Sequence, residues 1–147
     1  MPDDPKPEAG SVLSNISVKS GKFIFANGDV YEGQYELNSA GSVERHGFGT
    51  FTSSDGVVYS GNWSGDKMNG MGLYEHSPSG MRYEGQFVDG QFEGRGQYIW
   101  PDGYHYEGEF KGCKLEGHGQ LRDPTGQVWV GAFHGDHASA LKFKLNM

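Results

Sequence analysis

Four kinds of residue in this chain are of types and spacings that could do chemistry. Gly-x-Gly occurs at Gly47/Gly49, Gly70/Gly72, Gly94/Gly96 and Gly117/Gly119, and glycine-rich loops cradle phosphate on their backbone amides. None of the four extends to Gly-x-Gly-x-x-Gly or carries the lysine of a P-loop, and all recur at one phase of a repeat instead of opening a helix. They are read as structural. His134-x-x-His137 offers two imidazoles, but no cysteine or second histidine pair completes a four-ligand metal site. Glu32, Glu84, Glu107 and Glu109 could serve acid/base chemistry if paired, yet their recurrence along the repeats suits a solvated face better. Cys113 has no histidine or aspartate motif near it to mark a nucleophile and reads as an inert loop thiol. The expectation is no catalytic residue, no cofactor, no metal and no small-molecule substrate.

Composition explains why such residues recur without forming a site. The chain has 147 residues, 35% apolar, with a formal charge of -7, one cysteine and 25 glycines. That suits one domain. Nine Phe, eight Tyr and three Trp bury too much apolar surface for a linker-like chain. An acidic chain without a Lys/Arg cluster lacks the electrostatic footprint of a nucleic-acid binder. No long apolar run and no signal-like start are present, and one cysteine suits a reducing compartment, so the expected location is cytoplasmic.

After a first segment of 19 residues, which reads as a disordered tail, the chain becomes periodic. An aromatic-x-Gly-x-aromatic block recurs as Tyr31/Gly33/Tyr35, Tyr59/Gly61/Trp63, Tyr83/Gly85/Phe87, Tyr106/Gly108/Phe110 and Trp129/Gly131/Phe133. Successive blocks start 28, 24, 23 and 23 residues apart, and a Gly-x-Gly follows eleven residues after Tyr59, Tyr83 and Tyr106. The first unit has five extra residues, which places Asn38 to Ser42 in a lengthened loop. The spacing predicts a half repeat over 21–30, full repeats over 31–58, 59–82, 83–105 and 106–128, and a partial repeat over 129–135. Each full unit reads as a β-hairpin. Aromatic, Gly and aromatic alternate on one buried face, while Glu32/Gln34, Glu84/Gln86 and their equivalents face water. The central Gly is expected to let a neighbouring hairpin's ring lie on the backbone, and the Gly-x-Gly pair to serve the same approach on the second strand. Asp-Gly and Asn-Gly steps at 27–28, 55–56 and 102–103 are expected to make the tight turns. Lone hairpins are marginal in water, so the units must share a core. The fold class is all-β: one domain, an elongated array of stacked antiparallel hairpins spanning 20–135.

The unit Tyr-x-Gly-x-(Trp/Phe)-x-x-Gly-x-x-x-Gly-x-Gly, ending in Asp-Gly, resembles the MORN repeat (membrane occupation and recognition nexus). Tyr83, Gly85, Phe87, Gly90, Gly94, Gly96, Asp102 and Gly103 fit it at every position, and the resemblance runs from about Gly21 to Gly135. The insertion after Tyr35, one extra residue before Gly80, and a last unit that begins with Trp129 and lacks the later Gly-x-Gly depart from it. The resemblance implies a non-enzymatic scaffold or adaptor that binds a segment of a partner protein at membrane-associated or cytoskeletal structures. It implies, as the alternative, a peripheral module on anionic phospholipid or vesicle membranes, against which the acidic charge argues.

Two features could carry recognition. Phe48, Met71 and Leu73 are apolar where later units have Arg95, Gln97, His118 and Gln120, which suggests either a partner-binding patch or packing against the tail or the extra loop. Leu141-Lys-Phe143-Lys-Leu145 alternates like a last strand, so 136–147 is expected to cap the array, with a docking motif as the other reading.

Overall fold

Alternation at period two makes strands, and the turn residues set where each one ends. The computed structural model describes residues 18–135 in full and 137–144 by their backbone. Eleven strands follow in order: β1 (Lys19–Ile24), β2 (Val30–Leu37), β3 (Val43–Thr52), β4 (Val57–Ser64), β5 (Lys67–His76), β6 (Met81–Val88), β7 (Gln91–Ile99), β8 (His105–Lys111), β9 (Lys114–Arg122), β10 (Val128–Gly135) and β11 (His137–Lys144). Each pairs antiparallel with the next in one open sheet. The hairpins therefore join edge to edge. Eleven strands at a spacing of roughly 4.8 Å make an array about 48 Å long. Among the described residues there is no helix, and so none long and apolar enough to cross a membrane. The expected tail lies, apart from residues 18 and 19, outside the described residues.

Cross-strand register sorts the repeat into rows. Gly21, Gly33, Gly49, Gly61, Gly72, Gly85, Gly96, Gly108, Gly119 and Gly131 stand opposite one another from β1 to β10. Beside this bare lane runs a ring lane, in which Phe23, Tyr31, Phe51, Tyr59, Tyr74, Tyr83, Tyr98 and Tyr106 are successive partners. The first-strand tyrosines Tyr31, Tyr59, Tyr83 and Tyr106 are fully buried. With only one layer of sheet, they are buried by lying down across the glycines.

The hydroxyls fix this posture. Tyr59 Oη donates to Asn62 O at 2.7 Å, Tyr83 Oη to Gln86 O at 2.7 Å and Tyr106 Oη to Glu109 O at 3.1 Å, and Tyr31 makes the same bond to Gln34 O. At each of these places the register slips by a β-bulge, between Gly33/Tyr35, Gly61/Trp63, Gly85/Phe87 and Gly108/Phe110. The extra residues lie on the second strand, which advances four positions where the first advances two, so Gln34, Asn62, Gln86 and Glu109 have no ladder partner on that side and the tyrosine closes over each. Rings at the next aromatic position then wedge edge-on between tyrosines of adjacent units: Trp63 between Tyr31 and Tyr59, Phe87 between Tyr59 and Tyr83, Phe110 between Tyr83 and Tyr106. Each such pair contributes about 0.5–1.5 kcal/mol beyond burial. Phe133 is buried against Tyr106, while Trp129 and Gly131 are half-buried at the end of the array.

Three local expectations change. A Cβ on Gly85 would meet Gly96 Cα at 2.5 Å, Arg95 O at 2.6 Å and Tyr83 Oη at 2.8 Å, so the crowding comes from its own unit and not from a neighbouring hairpin's ring. Of each Gly-x-Gly pair the second glycine is the one that lies under the tyrosine ring; the first, at φ 76°, 90°, 66° and 73° in the four units, bends the strand in the left-handed region. The tight turns are Gly65-Asp66, Asp89-Gly90 and Gly112-Cys113, all with positive φ, whereas 27–28, 55–56 and 102–103 sit in longer loops between units. Two-residue turns of this kind match the twist of their strands, which is why they fall inside the hairpin.

At the C-terminal end β11 lies beside β10, with Phe143 opposite Trp129 and Lys142 opposite Val130, before the ladder shifts between Val130 and Ala132. Leu145 lies outside the described residues.

Burial of the phenols has a consequence for pH. Desolvation pushes Tyr31 and Tyr59 up to about 12, and raises Tyr83 and Tyr106 as well. A raised folded-state value means stability fully present below the unfolded value of about 10 and lost as pH climbs from there towards 12. Alkaline titration should thus show these phenolates appearing only together with loss of the β-sheet circular dichroism signal. Ionisation of all eight tyrosines near pH 10 with the sheet intact would contradict the burial.

Candidate aromatic trough

The ring lane is closed on its first strands and open on its second. Phe51, Tyr74, Tyr98 and Leu121 follow the second glycine of each Gly-x-Gly by two residues and are only partly buried against the core. Four residues before that glycine stand Arg45, Met68, Phe92 and Leu115. These two sets wall hollows on the aromatic face. One, of about 530 Å³, is lined by Phe23, Tyr31, Arg45, Phe51 and Asp66; the next, of about 480 Å³, by Phe51, Trp63, Met68 and Tyr74 among others. Both include Arg45, Phe51 and Asp66, so they adjoin, and the two together are called the trough. A third, of about 570 Å³, lies further along over Phe92, Tyr98, Trp100 and Leu115.

Arg45 shapes the trough's polarity. Its guanidinium lies 4.2 Å from the centre of the Trp63 ring, Nε meets Asp66 Oδ1 at 2.7 Å, and Nη2 donates to Asp66 O at 3.0 Å. Partial burial alone would raise the Asp66 carboxyl, but the hydrogen bonds and charge of Arg45 outweigh it and hold the carboxyl below its usual range. The pair therefore neutralises itself where the two hollows meet and leaves no free charge there. Asp29 and Asp55 also line the trough and make no salt bridge among the described residues. A mostly apolar concavity with a few fixed polar groups is the ordinary form of a binding site.

The other sequence candidates fall elsewhere. Phe48 and Met71 are 57% and 55% exposed on the opposite, polar face, and half-buried Leu73 lies between Ser60 and Glu84. Phe48 stands opposite Asn62 and Met71 opposite Gln86, so polar residues break up the patch. The extra loop does not cover it: Asn38 closes that loop on itself through Ala40 and Ser42. Glu84 faces Gln97, Glu107 faces Gln97 and Gln120, and Glu109 faces Arg95, which leaves no two of these carboxylates paired. Cys113 is exposed at φ 66°, with Sγ 3.3 Å from Phe92 N. His134 Nδ1 sits 3.0 Å from Glu116 Oε2, and no group of three His, Cys, Asp or Glu among the described residues could hold a metal. Sequence reasoning missed the trough walls, although Gly-x-aromatic after each Gly-x-Gly carried the signal for Phe51, Tyr74 and Tyr98.

Comparison with known proteins agrees with this repeat. The MORN repeat family model matches residues 20–30, 44–58, 59–81, 83–103 and 106–128. Alsin of Rattus norvegicus is 31% identical over 84 residues, 54% of this chain, and Alsin of Homo sapiens gives the same figures. The chain spans about 5% of the length of these relatives. Among solved structures, the SAS-4 (dCPAP) TCP domain in complex with a proline-rich motif of Ana2 (dSTIL) of Drosophila melanogaster aligns over 99% of both chains at 14% identity and a TM-score of 0.42.

Proposed function

The chain belongs to the MORN-repeat family, and on that premise we propose that it is a non-enzymatic adaptor whose aromatic trough holds an extended segment of a partner protein. MORN repeats are protein- or membrane-binding repeat modules. The observation that carries the reading is the pair of hollows adjoining at Arg45, Phe51 and Asp66, which together cross β1 to β5, about 19 Å, and so accommodate roughly six extended residues. Apolar walls call for aromatic or aliphatic side chains in that segment. Asp29 and Asp55, hydrogen-bonded but in no salt bridge among the described residues, favour Lys or Arg at its flanks in a chain of charge -7. The expected place of action is the cytoplasm, at membrane-associated or cytoskeletal structures.

Peptide-display selection against the full chain tests this. Enriched sequences should carry aromatic or aliphatic residues with Lys or Arg at their flanks. Their affinity should fall at least about tenfold with Met68→Glu, which puts a charge in the trough wall, and should survive the triple Phe48→Ser/Met71→Ser/Leu73→Ser variant. The reverse pattern would move the site to the polar face. Vesicles rich in phosphatidylserine should not sediment the protein at low salt. Co-sedimentation that fades as salt rises would replace the adaptor reading with direct attachment to anionic lipid.

A further inference from the structure

The third hollow repeats the construction of the trough with the opposite charge. It crosses β7 to β10, three strand spacings or about 14 Å, over Phe92, Tyr98, Phe110 and Leu115. Half-buried Trp100 lies against Tyr98 at its side, 4.8 Å between ring centres. A wall of rings separates it from the trough. Phe92 stacks flat on Tyr83 at 3.9 Å and meets Tyr74, which lines the trough, at 5.9 Å. The trough and the third hollow share no lining residue among the described residues. The backbone of β11 continues the sheet past β10 and does not cross the hollow.

The charge reverses from one compartment to the other. Asp29, Asp55 and Asp66 line the trough, where Arg45 is taken up by Asp66 and Lys67 is the other cation. No described residue lining the third hollow is acidic, and Lys114 is among them. The difference begins in the tight turns. Gly65-Asp66 and Asp89-Gly90 each carry an aspartate, and the turn between β8 and β9 has Gly112-Cys113 instead. Its two flanking residues, partners across the hairpin, are Lys111 and Lys114, where the other turns have Ser64 with Lys67 and Val88 with Gln91. Both Lys111 and Lys114 are exposed and in no salt bridge among the described residues. Glu93 reaches this turn, but its Oε2 accepts the Gly112 N–H at 2.9 Å. One carboxylate against two ammonium groups leaves the turn positive in a chain of charge -7.

We infer that the third hollow is a second docking site for the partner segment, taking a stretch in which an aromatic or aliphatic side chain stands beside Asp or Glu. The inference rests on the adaptor reading and extends it. The apolar side chain covers Trp100 and Leu115, and the carboxylate meets Lys111 and Lys114 at the mouth. A width of three spacings takes roughly four extended residues. The trough ends at β5 and the hollow begins at β7, about 10 Å further on, so about three residues join the two stretches. Basic flanks at one end and acidic ones at the other fix the direction in which the segment lies.

Peptide display against the full chain carrying Met68→Glu, which blocks the trough, tests this site by itself. Enriched sequences should pair an aromatic or aliphatic residue with Asp or Glu. A synthetic peptide from that selection should bind the unaltered chain equally well and lose at least about tenfold in affinity with Lys111→Glu/Lys114→Glu or with Trp100→Ala. Lys111→Gln/Lys114→Gln, which removes the charges without reversing them, should lose less. Selection of sequences without acidic residues, or equal affinity for the charge-reversed chain, would overturn the inference. So would displacement of the peptide by a synthetic copy of residues 1–17, which would give the hollow to the chain's own first segment, and a dimer in sedimentation velocity that the peptide dissociates, which would give it to a second copy. The trough is read by basic-flanked peptides and Met68→Glu, this hollow by acidic peptides and the lysines, so the failure of one reading does not imitate the failure of the other.

Discussion

Phe87→Ala is expected to unfold most of the array, with a loss of about 3–5 kcal/mol against a typical total of roughly 5–15 kcal/mol. Phe87 is 1% exposed and touches rings of two units, Tyr59 at 5.0 Å and Tyr83 at 5.1 Å between centroids, with Phe92 at 5.5 Å. Its removal opens a cavity that neither unit can close, because both tyrosine rings are tied to carbonyls through their hydroxyls. An array of this kind is stabilised by nearest-neighbour interfaces, so damage at one junction weakens the units on both sides. Phe48→Ala, the same truncation on the polar face, should change stability by no more than about 0.5 kcal/mol. Urea denaturation followed by circular dichroism checks the contrast. Equal midpoints for the two variants would mean that the buried face has been assigned to the wrong side of the sheet.

The lane of wedge rings was legible because strand alternation is strictly local: Tyr83, Gly85 and Phe87 must share a face whatever else the chain does. The lock was not. It depends on a bulge, and nothing in Tyr83-Glu84-Gly85-Gln86 says that Gln86 will be skipped by the ladder and left to accept the hydroxyl of Tyr83. The division of labour within Gly-x-Gly stayed hidden for a related reason, since left-handed Gly94 and extended Gly96 are the same letter in sequence. The trough was half-legible. Phe51, Tyr74 and Tyr98 repeat in phase, but the pair that joins its two hollows, Arg45 and Asp66, meets across 21 residues and two turns of the meander. Distance in sequence hid the contact that the register imposes.

The second large effect concerns Gly85. Its backbone is not in the left-handed region, so alanine could adopt it and would ordinarily gain about 0.4–1 kcal/mol from a stiffer unfolded chain. Space decides the sign. The added Cβ would lie 2.5 Å from Gly96 Cα and 2.6 Å from Arg95 O, both backbone atoms of the paired strand, which can yield only by widening the hairpin. It would also lie 2.8 Å from Tyr83 Oη, whose bond to Gln86 O holds the ring in place. Overpacking of that kind costs roughly 1–3 kcal/mol, which exceeds the entropic gain. Both Gly85→Ala and Gly85→Val should lower the denaturation midpoint, valine by more. Gly96→Ala should match Gly85→Ala by a different route, since its Cβ would strike the Tyr83 ring at 2.5 to 2.7 Å. If Gly85→Ala raised the midpoint, the glycine lane would be a tolerance of the sheet and not its requirement, and the close approach of tyrosine to backbone could not be what buries the core of a single-layer fold.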